Sequence, residues 1–349
     1  MSRGSTAEGK AVDATLFRKV RDVDFRRLPD DVGSWLTAWE LDMGHDGISR
    51  EHRSKDDLIV YMNAWNKERF TTYFEPASEL VDLSFAVTRS VYEGLRKPSA
   101  ALPDLSAPLP VDYYNAEDYT FQNAYPLPER AKVSHILDLG PGYGRQINIW
   151  AQRVPDLVYC GMEAIENGYC CQNLYYKAAS LLRVSDYIED PERFRITAAP
   201  GIYHLPAWRY DLLPSDFFDL IIAVQVLPEL KDRLALHLLE LFKRCLKVGG
   251  ALYIRDHDLR FLPASHTHTL DLHELLPSFG FQLEFRPYLH DLEEIHGVPR
   301  LWRKTDPSKP FRPIDPNFPG ELKTRLSSDK NRQPANILRR LLRFDRANS

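Results

Sequence analysis

Cysteine is scarce in this chain: Cys160, Cys170, Cys171 and Cys245 are the only four among 349 residues. No two of them form a C-x-x-C pair, so neither a disulfide framework nor a structural zinc site organises the fold, and reduced, mostly buried thiols are expected. Long apolar runs are missing as well. The opening residues MSRGSTAEGKAVDATLF lack the hydrophobic stretch of a secretory leader, and nowhere do the roughly 18 apolar residues of a membrane span follow one another. These absences predict a soluble, cytoplasmic protein with no membrane partner. An excess of positive charge is lacking too. The formal net charge is −4, which argues against nucleic acid as the partner of the whole molecule.

That balance is uneven. From Arg303 to Ser349 there are twelve Lys or Arg against five Asp or Glu, so the tail carries +7 and the remainder −11. Such a tail suits an electrostatic arm for nucleic acid, and its prolines and apolar ILRRLL pattern suit docking on its own core or on a second subunit equally well. What the chain does have is apolar content. With 44% hydrophobic residues it can bury a substantial core, as one large domain or two ordinary ones.

Periodicity divides the chain. Residues 1 to about 14 are small and polar and read as disordered. In KDDLIVYMNAWNKERFTTYF, Leu58, Met62, Trp65 and Tyr73 share one stripe at helical spacing. PASELVDLSFAVTRSVYEGLRK repeats the pattern with Leu80, Val87, Val91 and Leu95, and Pro76 and Pro98 suit its two ends. The proline-rich stretch 98–112 reads as an extended connection. From about Lys132 onward, apolar strand-like runs (VSHILDL, LVYCGMEA, FRITAAP, FDLIIAVQV, GALYIRD) alternate with helical patterns. Continuous apolar strands separated by helices predict an α/β fold with a parallel sheet covered on both faces. FQLEFRPYL and PRLWRKT add two closing strands. The expected organisation is a helical region over 1–130 that serves as lid, substrate or dimer element, an α/β core over 131–304, and a basic, proline-containing extension over 305–349.

The stretch HILDLGPGYGRQ places Gly140, Gly142 and Gly144 at alternate positions directly after a strand, with Asp138 just ahead. Glycine allows positive φ and close approach of the backbone, and a helix that follows offers free N–H groups. A loop that only turned would need one glycine, so three point to a bound ligand at the carboxyl end of the first strand. A dinucleotide fingerprint would set its third glycine one residue later, where this chain has Arg145. The D-x-G-x-G-x-G pattern instead resembles the first motif of class I S-adenosylmethionine-dependent methyltransferases. LKVGGALYIRD is similar to that family's entry to its fifth strand, and the resemblance covers roughly 132–304.

The resemblance implies a Rossmann-like, seven-stranded methyltransferase sheet with its last strand antiparallel, and S-adenosylmethionine as the cofactor. Glu163, 25 residues after Asp138, matches the carboxylate that holds the ribose hydroxyls, and Gln225 is a candidate contact at the end of the fourth strand. After FRITAAP, read as the third strand, the acidic residue expected for the adenine amino group is missing. Ala199 and Pro200 stand there, with Tyr203 as an alternative ring contact or a core residue. VQVLPEL contains no N-P-P-Y or D-P-P-Y, which makes amide and base nitrogens poorer acceptors.

Ionisable residues gather in RDHDLRFLPASHTH and YLHDLEEIHGVP. His257, flanked by Asp256 and Asp258, suits a general base, and His296 is the second candidate. Carboxylates with a His would also suit a divalent metal, with His266 and His268 as weak evidence, but a metal-free reaction is preferred. Within the family, the long helical N-terminal region and the EIHGVPRLWR closing segment resemble sugar O-methyltransferases, which implies a saccharide or glycosylated small-molecule acceptor. Tyr61, Trp65, Phe70, Tyr73 and Phe74 would then be sugar-stacking lid residues or ordinary core. A small-molecule N-methyltransferase and a catalytically degenerate, methyltransferase-like partner protein are the alternatives, and a homo-oligomer is left open.

Overall fold

The computed structural model describes residues 12–27, 54–67, 75–95, 99–123, 133–180, 182–227, 230, 232–256, 275–285, 298–306 and 308. Eight strands form one sheet: β1 (His135–Leu139), β2 (Val158–Glu163), β3 (Val184–Asp186), β4 (Gly201–Pro206), β5 (Phe218–Val224), β6 (Leu246–Asp256), β7 (Phe281–Phe285) and β8 (Val298–Lys304). Their order is β3-β4-β2-β1-β5-β6-β8-β7. The pairs from β3 to β6 are parallel, and β8 lies antiparallel to both β6 and β7. The parallel α/β sheet with an antiparallel closing strand is as expected.

Two details of the sheet differ from the sequence reading. The sheet has eight strands rather than seven, because the three-residue β3 adds an edge beside β4. FRITAAP is not a strand, and the ladder begins directly after it at Gly201. Pro200 has no N–H to give, whereas Gly201 N–H donates to Leu157 O at 2.8 Å and Ile202 N–H to Arg183 O at 2.8 Å.

Seven helices flank the sheet among the described residues: α1 (Ala14–Phe25), α2 (Lys55–Lys67), α3 (Ser78–Gly94), α4 (Pro110–Asn123), α5 (Ile147–Arg153), α6 (Glu166–Ala179) and α7 (Asp232–Cys245). α7 turns Leu234, Leu238, Leu241, Phe242 and Cys245 inward, with Asp232 in its first turn and Lys243 and Arg244 in its last, where they oppose the helix dipole. α1 starts at Asp13, whose carboxylate accepts from Leu16 N–H at 2.8 Å. Of the 98–112 connection, residues 99–109 carry neither helix nor strand and bend at 99–100 and 106–107. α4 follows, a helix that hydrophobic periodicity does not reveal because the residues it buries are largely polar: Asp112, Asn115, Glu117, Asp118 and Gln122. α1 was not anticipated either.

Alternation along the strands separates two faces. One row across the sheet runs Tyr203, Cys160, Leu137, Ile221, Leu252, Trp302, and the next runs His204, Gly161, Asp138, Ile222, Tyr253, Leu301 on the opposite face. The first face packs against α7 and Phe17 of α1. The second packs against α2 to α6, so residues of the N-terminal helices such as Leu58, Met62 and Val91 share a single cluster with Ile136 and Leu220 of the sheet. All four cysteines are buried and free. Among the described residues no helix is long and apolar enough to cross a membrane.

Candidate ligand site at the carboxyl ends of the strands

In an open parallel sheet the crevice for a ligand opens where strand order reverses, at the carboxyl ends of the strands. Here the chain runs from β1 to β2 and β4 on one side, and β5 and β6 return on the other side of β1. The glycine loop, Glu163 and Gln225 leave the carboxyl ends of β1, β2 and β5 and so surround that point.

All three loop glycines have positive φ: +60° at Gly140, +63° at Gly142 and +98° at Gly144. Their surroundings differ. A Cβ on Gly140 would lie 2.6 Å from Val226 Cγ2, and one on Gly144 2.5 Å from Tyr176 Cε1. Packing within the chain therefore accounts for glycine at these two positions. Gly142 is the roomier one, with Trp65 at 3.5 Å and Tyr61 at 3.8 Å from the same point. Gly140 N–H donates to Met162 O at 2.9 Å, which carries the β1–β2 ladder into the loop and holds it beside Glu163. The free N–H groups expected at the next helix are partly consumed. Gly144 N–H bonds Pro141 O and Asn148 N–H bonds Arg145 O, because the loop winds into α5 as a series of turns.

Glu163 is 6% exposed. Its Oε1 accepts from the N–H groups of Ala164 and Ile165 at 2.8 and 2.9 Å, and its Oε2 from Gln172 Nε2 at 2.6 Å. Of the roughly four lone-pair sites of a carboxylate, these three bonds leave one, on Oε2. Gly168 makes room for the side chain, since a Cβ there would meet Glu163 Cδ at 3.0 Å. Burial pushes the Glu163 carboxyl up to about 7 against the lowering effect of its three donors. Asp138 behaves alike. It lies in the second row of the sheet, accepts from the Tyr159 hydroxyl, and is pushed up to about 7 by burial. Gln225 has a positive φ of 55° and directs its N–H to Arg255 O at 2.9 Å.

The residues that tie this site together carry little sequence signal. Gln172 of α6 donates to Gly142 O at 2.6 Å as well as to Glu163, so one side-chain amide joins the loop to the carboxylate. Its oxygen faces His204 Nε2 at 3.0 Å, and His204 Nδ1 faces Asp186 at 2.8 Å. His204, a charge-bearing residue within the otherwise apolar GIYHLP of β4, is the one signal in the sequence that points toward these residues. On the other side of the loop, Arg145 donates to Asn115 at 2.8 Å and to Asp118 at 2.9 Å. Arg255 donates to Asp118 at 2.6 Å and to Glu117 at 2.9 Å. Tyr114 lies between the two guanidiniums, 4.4 and 4.1 Å from its ring centre. Burial disfavours the Asp118 carboxylate, yet the Arg255 and Arg145 charges hold its carboxyl below the usual range. Arg145, which stands where a dinucleotide loop would have its third glycine, thus clamps α4 onto the site together with Arg255.

Tyr203 belongs to the core and not to the crevice. It sits mid-strand, 6% exposed, with its hydroxyl on Thr197 and on Ala199 O. The β4 carboxyl end is instead Pro206, followed by Ala207 and Trp208, so Ala199 and Pro200 precede the strand rather than follow it. Tyr61 and Trp65 pack edge-on against Tyr143 at 5.9 and 6.3 Å. Phe70, Tyr73 and Phe74 lie outside the described residues, as do His257, Asp258, His296, His266, His268 and the acidic residues of 286–297. Asp256 ends β6 and is buried. Among the described residues no group of three or more His, Cys, Asp or Glu is arranged to hold a metal.

No family model and no curated protein matches the chain. Solved structures do align with it. The Haemonchus contortus phosphoethanolamine N-methyltransferase 1, in complex with phosphoethanolamine and S-adenosylhomocysteine, matches 81% of this chain and 54% of its own at 12% identity and TM-score 0.38. The [4+2]-cyclase SpnF matches 65% and 95% at 15% identity and TM-score 0.37. A SAM-dependent methyltransferase from Methanosarcina mazei matches 52% and 98% at 12% identity and TM-score 0.35.

Proposed function

We propose that the chain is an S-adenosylmethionine-dependent methyltransferase acting on a hydroxyl of a sugar or another small hydroxylated metabolite. The observation that carries this reading is the juxtaposition of the positive-φ glycine loop with a buried carboxylate on the adjoining strand, both at the point where strand order reverses. The residues fit the cofactor. Gly142 is uncrowded by backbone and faces Trp65 and Tyr61 at ordinary contact distance, and Glu163 Oε2 keeps one lone pair for a ribose hydroxyl. When bound, the cofactor supplies a methyl group activated by its sulfonium. The chain's part is alignment of the acceptor, a contribution of roughly 7–11 kcal/mol in well-oriented reactions. Removal of the acceptor proton falls to His257 with Asp258, or to His296, and this is worth about 10²–10⁴-fold. The extension over 305–349 and the helices over 1–130 are assigned to docking and to covering the acceptor.

A catalytically degenerate partner protein is the second reading. Val226 closing on Gly140 and the internal bonds of Glu163 favour it, because both meet needs of the fold without a ligand. Calorimetric titration with S-adenosylmethionine, and separately with NADH, decides between them. Micromolar binding of the first alone, weakened at least tenfold in Glu163→Ala, is expected. Binding of neither ligand removes the methyltransferase reading and leaves the degenerate one.

A further inference from the structure

Two atoms whose hydrogen-bonding roles are invariant fix the polarity of the chain that runs behind Glu163. The Gly142 carbonyl only accepts, so the end of the Gln172 side chain 2.6 Å away is its NH₂, and Gln172 Oε1 must face His204 Nε2. Val12 N–H only donates, so Asn173 Oδ1 lies 3.1 Å from it and Asn173 Nδ2 points at Asp186 Oδ2, at 2.8 Å. Asp186 Oδ1 accepts from Ile188 N–H at 2.8 Å and from the Tyr169 hydroxyl at 3.0 Å. Both Asp186 oxygens therefore already act as acceptors.

His204 thus meets an acceptor at each ring nitrogen: the Gln172 amide oxygen at Nε2 and the Asp186 carboxylate at Nδ1. The ring is 0% exposed, stacked at 3.7 Å and 15° on Tyr169, with Tyr176 edge-on at 5.2 Å. These four residues are the partners found at its edges and faces. Burial by itself would raise the Asp186 carboxyl. The His204 charge and the bonds from His204, Asn173 and Tyr169 bring it below its ordinary value.

We propose that His204, held as a buried imidazolium by Asp186, is a positioning residue of the ligand site. By occupying the Gln172 oxygen it commits both Gln172 N–H groups to Gly142 and Glu163, and so presents the loop and the carboxylate as one rigid unit. The ligand role rests on the reading of Glu163 as a ribose contact.

The test combines a spectrum with a binding cycle on the full chain. In ¹⁵N-labelled protein at neutral pH, the His204 ring is expected to show two protonated, slowly exchanging nitrogens. A lone-pair signature at either ring nitrogen overturns the imidazolium, and this readout needs no variant to fold. In calorimetry with S-adenosylmethionine, Asp186→Asn and Gln172→Leu are each expected to bind about tenfold more weakly, and the double variant no more weakly than the singles, as for residues acting in one chain. Wild-type affinity in Asp186→Asn overturns the positioning role, whatever Gln172→Leu does. If the wild type itself binds nothing, the cofactor reading fails and takes the positioning role with it, while the spectrum still decides the state of the ring.

Discussion

Adjacent rows of the central sheet, equally buried, are built on opposite principles. The row Tyr203, Cys160, Leu137, Ile221, Leu252, Trp302 meets α7 and α1 through side chains that are apolar or nearly so. The next row faces the other way and includes His204, Asp138 and Tyr253, with Asp186 beside His204 at the edge and Arg255 two residues beyond Tyr253. Burying polar groups costs free energy unless each finds a partner. The charged groups of this face have one: Asp186 for His204, Tyr159 for Asp138, Glu117 and Asp118 for Arg255. One face stabilises through area and packing, and the other gives up some of that stability to hold charge in defined places beside the carboxyl ends of the strands.

The contrast is sharpest where a charge is removed. Arg255→Met takes the Arg255 donors from Glu117 and Asp118, leaving Asp118 with Arg145, Gln146 and Tyr253, and a loss of about 3–5 kcal/mol is expected for breaking a buried pair from one side. Denaturant unfolding measures it, and a loss near zero would mean that the polar face is no more demanding than the apolar one. Leu252→Ala, on the apolar face, is expected to cost about 2–5 kcal/mol through transfer and cavity terms alone. That loss should not change with salt or pH.

pH separates the faces in a second way. Asp138 and Glu163 are each raised to about 7 in the folded chain, and Asp112 to about 6. The folded state therefore binds more protons than the unfolded one between about pH 4 and 7, and stability falls as pH rises through that window. Asp138→Asn, whose amide oxygen can still accept from Tyr159, is expected to flatten this slope by roughly 1–3 kcal/mol between pH 5 and 8. An unchanged slope would show that Asp138 is ionised throughout. Ligand affinity should move oppositely, weakening below about pH 7 as Glu163 gains its proton and stops accepting at Oε2.

The smallest expected change in stability is at the roomiest loop position. Gly142→Ala meets only the strain of positive φ, about 1–2 kcal/mol, whereas Gly140→Ala must also displace Val226. If Gly142 is where a ligand approaches, its variant loses S-adenosylmethionine binding while remaining folded. Thermal unfolding and titration of the same sample check both halves.

Much of this was legible beforehand for a simple reason. Parallel strands buried on both faces read as continuous apolar runs, and a loop with three positive-φ turns needs glycine, so β1, β2, β5, β6 and the Gly140–Gly144 loop stood out. α4 did not, because its inward face is polar and matches no hydrophobic period. β4 was displaced because FRITAAP is as strand-like in composition as GIYHLP, and pairing begins only after Pro200. Gln172, Asp186 and Arg145 are ordinary polar residues in sequence, and their importance lies entirely in what they touch.

The sequence alone determined the class of the fold, its parallel sheet, the reduced cysteines and the place of the glycine loop, because local periodicity and backbone sterics act over a few residues. Which carboxylates lie buried, which amide joins Glu163 to Gly142 and which arginine holds α4 were decided by the tertiary structure. Those facts depend on partners as far apart in the chain as Asp118 and Arg255, and on the free energy of placing charge where water cannot reach it.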